Sequence, residues 1–267
     1  MKKIIYSIAV FLLMSINAHS EQTFDDFSDP KLKEYLKFFN ASCSKQNVTN
    51  NKLILIDGTD PLLPEQIAFI KENFISNPTW DSVGDRFTIV IMDEKPVSLL
   101  RFVSFCAPTP TSKITPDMAK LVAQKNIRLF NKTLNDAFDI MVKTKKAPES
   151  HIIEALVEIF RSKRYEFLDG KRQLIIASDL YQNSNLISFY KLCSSGKCPS
   201  FNDTLKDKTI ANYLKNQAKL NLIDTDSVVI YQLKTQDKFN MTVKPWWEDY
   251  ISSFGLSKNH ITISSQL

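Results

Sequence analysis

LILIDGTDPLLPEQ, from Leu53 to Gln66, carries four consecutive aliphatic side chains into an Asp, a Gly, a Thr and a second Asp. A short unbroken apolar run is the pattern of a strand buried on both faces. Pro61, Pro64 and the polar pair Glu65-Gln66 then have the pattern of a helix start. The stretch reads as a buried strand feeding a strand-to-helix turn, the place where open α/β sheets hold ligands. Three readings fit the turn: a phosphatase nucleophile loop, a cation-binding loop, or a helix start whose free N–H groups are satisfied by Thr59 and Asp60.

Outward from this stretch the chain alternates. Helical spacing marks Pro64 to Phe74, with Ile67, Ile70 and Phe74 in register. Two strands, Phe87–Met92 and Val97–Phe105, are separated only by Asp93-Glu94-Lys95-Pro96, which predicts a hairpin. The Pro-rich piece Cys106–Pro116 reads as loop. Long helical periodicity follows from Asp117 to Val142, then a second helix from about Ser150 to Arg161. The strand Gln173–Ala177 ends in Ser178-Asp179, residues 181–206 look irregular, and a helix is expected near Asp207–Gln217. A strand at Ser227–Leu233, a helix at Trp246–Phe254 and a strand at His260–Ile263 complete the pattern. Continuous apolar strands alternating with helices predict a doubly wound, mainly parallel sheet with helices on both faces and one antiparallel edge hairpin. Trp246/Tyr250 and Trp247/Ile251/Phe254 are helical stripes; core packing accounts for at least one Trp and leaves the other as a contact-surface candidate.

The first 20 residues have Lys2 and Lys3, an apolar run from Ile4 to about Ile16, and Ala18 and Ser20 before a cut placed after Ser20. That is a signal peptide, too short in its apolar part for the roughly 20 residues of a membrane span. The organisation expected is a signal peptide over 1–20, a helical extension over 21–50 opened by Asp29-Pro30, and an α/β domain over 51–267. No later apolar run is long enough to cross a membrane, so the mature chain is expected in the periplasm or secreted, without a transmembrane segment. Removal of Lys2 and Lys3 lowers the formal charge from +5 to +3, too small and dispersed for a nucleic-acid partner. Only five glycines, and no G-x-G-x-x-G or P-loop, argue against a Gly-rich phosphate loop.

Four cysteines remain, Cys43, Cys106, Cys193 and Cys198, and an even count in an oxidising compartment points to pairing. Gly196 lets the short segment between Cys193 and Cys198 turn back, which favours Cys193–Cys198 and Cys43–Cys106. The alternative is one bond and two buried thiols. Three histidines, none clustered with the cysteines, make a zinc site the weaker explanation.

Asp57-Gly58-Thr59 resembles the tail of the Asp-x-Asp-Gly-Thr motif of haloacid-dehalogenase-like phosphohydrolases. That resemblance implies a metal-dependent phosphohydrolase, but the nucleophile position is Leu55, which has no atom to attack phosphorus. Over Lys52–Ile263 the element order, together with three loop positions, resembles von Willebrand factor A-like domains. In that family Asp-x-Ser-x-Ser, a Thr and an Asp from three loops hold one divalent cation. The resemblance assigns Asp57 and Thr59 to the first loop, Ser150 to the Thr position and Asp179 to the last Asp; the second serine falls on Pro61. It implies Mg²⁺ or Mn²⁺, held weakly because one hydroxyl is lost. The same positions also have structural explanations, Ser150 as a helix N-cap and Asp179 as a turn residue. The function implied is an exported protein-binding or assembly component, its partner another envelope or secreted protein. A structural accessory of an envelope apparatus with an apolar interface is the further alternative.

Overall fold

The computed structural model describes residues 27–43, 48, 50–75, 85–93, 96–97, 100–108, 116–143, 147–161, 171–193, 198–217, 227–232 and 240–264. Segment 1–20, expected from the sequence to be a signal peptide, lies outside them. Strand β1 (Asn50–Asp57) is the LILID run, and its last five residues are all buried. Parallel neighbours flank it on each side, β2 (Arg86–Met92) and β4 (Lys171–Ser178), so that Leu55 sits opposite both Val90 and Ile176. With β3 (Arg101–Cys106), β5 (Ser227–Gln232) and β6 (Ile261–Ser264), the sheet order is β3-β2-β1-β4-β5-β6. Every pairing is parallel except β2 with β3, the edge hairpin that the short Asp93–Pro96 connection predicts. The third strand starts four residues later than the apolar pattern suggested, at Arg101 instead of Val97.

Because successive strand residues face opposite ways, β1 divides its side chains between two cores. Ile54 and Ile56 join Ile89, Ile91 and Ile175 beneath α1 (Pro30–Cys43), α2 (Pro64–Ile70) and α3 (Pro116–Met141). Leu53 and Leu55 join Val90, Leu174 and Ile176 against α4 (Ile152–Arg161) and the later helices. Those are two four-residue helices in the segment expected to be irregular, α5 (Phe189–Leu192) and α6 (Phe201–Thr204), then α7 (Lys208–Gln217) and α8 (Asn240–Ser252). A five-residue π-helical turn, Lys71–Ile75, finishes α2. The mixed α/β sandwich agrees with the class expected from the apolar runs. α1 is part of it, for Leu36 and Phe39 are fully buried in the core under β3 and α3.

The helix around Trp246 begins six residues earlier than its apolar stripe suggested and passes through Pro245. Both tryptophans are buried, so neither is a contact surface. Trp246 stacks on Tyr250 at 5.4 Å and meets Phe189 and Phe201 edge-on. Each indole N–H has a partner, Thr204 Oγ1 at 3.0 Å for Trp246 and the Leu180 carbonyl at 2.9 Å for Trp247. Both cysteine pairs are bonded, Cys43 to Cys106 across 63 residues and Cys193 to Cys198 across 5. Among the described residues no helix is long and apolar enough to cross a membrane.

Candidate functional site

β1 ends at Asp57, buried at the carboxyl edge of the sheet. A buried carboxylate is tolerated only with hydrogen-bond donors around it, and here it has four. Oδ1 accepts from the Thr59 backbone N–H at 3.1 Å and the Thr59 hydroxyl at 2.8 Å. Oδ2 accepts from the hydroxyls of Ser150 and Ser178, both at 2.7 Å. These donors come from the turn after β1, the segment before α4 and the end of β4. One side chain thereby fastens its own turn to two segments that lie 93 and 121 residues from it in the chain.

Gly58 makes the turn possible through space. Its N–H donates to the Met92 carbonyl at 2.8 Å, and a Cβ there would sit 2.2 Å from that same oxygen. No other residue type allows so close an approach of the two strand ends. The Gly58 carbonyl in turn accepts from Ala147 N–H at 2.9 Å, which draws in the chain leading to Ser150.

The loop after β4 is held under strain. Leu180 has φ of 67°, a left-handed conformation that costs a branched residue about 1 kcal/mol or more. It is kept there by three bonds: its N–H to Ser178 Oγ at 2.9 Å, its carbonyl to Trp247, and Gln182 N–H to that carbonyl at 3.0 Å. Asp179 Oδ1 accepts from Tyr181 N–H at 2.9 Å, the turn role open to it from the sequence. Asn183 N–H donates to the Ser150 carbonyl at 2.7 Å and completes the ring of loops.

Of the residues singled out from the sequence, Asp57, Thr59 and Ser150 come into direct hydrogen-bond contact, and Asp179 follows Ser178 at the same edge. Ser150 turns its hydroxyl to Asp57. The early N–H group of Ile153 in α4 is met instead by Gln182 Oε1 at 2.9 Å. Sequence reasoning missed Ser178 and Gln182. Ser178 had a signal: it is the residue just past a buried run, at the same edge as Asp57. Gln182 had none, because its partners Ile153, Glu154 and Ser184 are set by the fold.

Leu55, the nucleophile position of the phosphohydrolase motif, is wholly buried between Val90 and Ile176. Around the rim Leu63 and Tyr190 are 52% and 63% exposed. Between Asp57, Asp60, Pro61, Leu62, Val142 and Lys143 lies a shallow pocket of about 260 Å³. Among the described residues, no group of three or more His, Cys, Asp or Glu side chains is placed to hold a metal.

No protein-family model matches the chain, and no curated protein sequence does. Among solved structures it is similar to the pilus adhesin SpaC from Lactobacillus rhamnosus GG in its open conformation, at 11% identity and a TM-score of 0.40. That likeness takes in 83% of this chain, which spans 28% of the adhesin's length.

Proposed function

We propose that the carboxyl edge around Asp57 is the face through which this chain, as an exported protein, binds or assembles with another envelope or secreted protein. The observation that carries this is the four-donor bond set on Asp57. It makes three loops into one rigid rim, and two exposed apolar side chains, Leu63 and Tyr190, stand on that rim ready to be covered. Two disulfides fit a protein that matures in an oxidising compartment.

The donor set also suits a weakly held Mg²⁺ or Mn²⁺. Thr59 and Ser150 donate hydroxyl hydrogen bonds to Asp57, which leaves oxygen lone pairs for a hard cation while Asp57 and Asp179 supply charge behind them. Pro61, without a side-chain oxygen, lowers the expected affinity. When bound, the ion would supply an acceptor for a partner's carboxylate.

Crosslinking in intact envelopes tests the reading. Leu63→Glu with Tyr190→Glu is expected to lose a partner that the parent chain captures, and retention of the partner by that variant overturns it. Chelator in a parallel sample separates a metal-mediated contact from an apolar one. For the cation itself, millimolar Mn²⁺ is expected to raise the melting temperature of the parent but not of Thr59→Val with Ser150→Ala. Equal melting curves with and without the ion in the parent leave the rim as a purely hydrogen-bonded contact face.

A further inference from the structure

α3 carries two apolar stripes. Ala123, Phe130, Leu134, Ala137 and Phe138 are buried in the core. Met118, Leu121 and Val122 are 58%, 67% and 38% exposed. At about 100° per residue, Leu121 and Met118 stand roughly 150° from the mean direction of the buried stripe, so no rotation of the helix hides both. These three are half of the six large apolar side chains that stand exposed among the described residues. A fourth, Phe38, lies on α1, which packs on α3 through Phe39 and Phe130.

The charge along this stripe is mainly basic, with Asp117 just before Met118 as the one acid in the first half of the helix. From Met118 to Asn135 there is no acidic residue, while Lys120, Lys125, Arg128 and Lys132 are all basic. Lys132 is engaged with Asp136 one turn on. Lys120, Lys125 and Arg128 are exposed. α3 follows β3, whose last residue Cys106 is paired with Arg86 at the start of β2. Val142 and Lys143, just past the far end of α3, line the pocket beside Asp57, and 26 residues at about 1.5 Å each put the first turns of the helix far from it.

We propose that the first half of α3 is a docking surface for an anionic lipid membrane. Long, flexible apolar side chains flanked by lysine and arginine are what an interfacial helix needs: the former enter the acyl boundary and the latter meet phosphate headgroups. The exposed apolar tips described on α3 are three aliphatic side chains, without the tryptophan or tyrosine anchors that concentrate energy in many protein interfaces. Docking in this way leaves the Asp57 rim far from the docked turns and open to a partner.

Vesicle cosedimentation of the processed chain tests this. Vesicles with about one-third phosphatidylglycerol are expected to bind it about tenfold more tightly than pure phosphatidylcholine, an advantage lost at high salt. Leu121→Ser with Val122→Ser is expected to weaken binding to the anionic vesicles about tenfold, as is Lys120→Gln with Lys125→Gln and Arg128→Gln. All five positions are exposed, so circular dichroism and melting should match the parent. Equal sedimentation of parent and variants, or none with anionic vesicles, overturns the proposal. Capture by immobilised polyglutamate without vesicle binding also overturns it, in favour of an acidic protein partner. Loss of the partner contact at Leu63 and Tyr190 has no bearing on this result, because the first turns of α3 lie far from the Asp57 rim.

Discussion

The two helical layers cover the same sheet with comparable apolar stripes, yet they connect differently to the Asp57 rim. Under α1 and α3 the core is a cluster of phenylalanines, Phe39 and Phe105 edge-on to Phe130 and Phe87 tilted against it, all hydrocarbon. Under α4 and α8 the core ends in polar handles. Trp247 donates to the carbonyl of the strained Leu180, and Gln182 ties that loop to the start of α4. The first layer packs beneath the sheet through hydrocarbon, while the second also fixes the shape of the loop after β4. Burial alone does not reveal the difference; the hydrogen bonds do.

The sharpest way to break this comparison is a pair of truncations. Trp247→Ala is expected to cost about 4 kcal/mol, and Phe130→Ala a similar amount, measured by denaturant melts. Under conditions where both variants remain folded, only Trp247→Ala should also weaken partner binding, because it frees the Leu180 carbonyl. Equal loss of binding in the two would erase the distinction between the layers.

Next come the disulfides, one in each layer. Closing 63 residues removes more unfolded-state freedom than closing 5. Cys43→Ser with Cys106→Ser is therefore expected to cost about 4 kcal/mol, and Cys193→Ser with Cys198→Ser about 2 kcal/mol. Cys193 follows α5, which carries Phe189 against Trp247. The smaller stability loss should accordingly be the one that shifts partner affinity. Mapping both effects on one preparation checks the order.

The smallest effect concerns Tyr250. Its ring is buried beside Trp246 and Trp247, but its hydroxyl has no hydrogen-bond partner among the described residues. Tyr250→Phe is expected to be neutral or to stabilise by up to about 1 kcal/mol near neutral pH. Burial pushes the Tyr250 phenol well above its ordinary value of 10.0, with Tyr213 and Glu154 adding to the rise. A raised pKa favours the neutral phenol in the fold, so this contribution is complete below pH 10 and is lost as pH rises beyond it. Alkaline melts should fall less steeply for Tyr250→Phe than for the parent.

The fold was largely legible because four parallel strands are almost unbroken aliphatic runs, and such runs have few alternative explanations. Boundaries were less so. Val97 looked like strand by hydropathy, but pairing with β2 begins only at Arg101 opposite Ile91. The start of α8 at Asn240 precedes its apolar stripe, since packing sets the stripe and not the end of the helix. At the site, Asp57, Thr59 and Ser150 were readable from their positions at strand and helix ends. Which hydroxyls reach Asp57 depended on which strands are neighbours, and that placed Ser178 beside it. Gln182 could not be read at all, because a glutamine in an irregular segment looks the same whether it faces solvent or caps a helix.

The cysteines are joined first to second and third to fourth along the chain. A polypeptide threaded through a translocation channel amino end first presents them in that order. Each cysteine then meets its native mate as the next thiol to emerge, before any later competitor exists. For a chain exported in this way, simple oxidation during passage suffices and no isomerase is needed to unscramble crossed bonds. In a strain lacking disulfide isomerase but retaining the primary oxidant, both native bonds should still form in full yield.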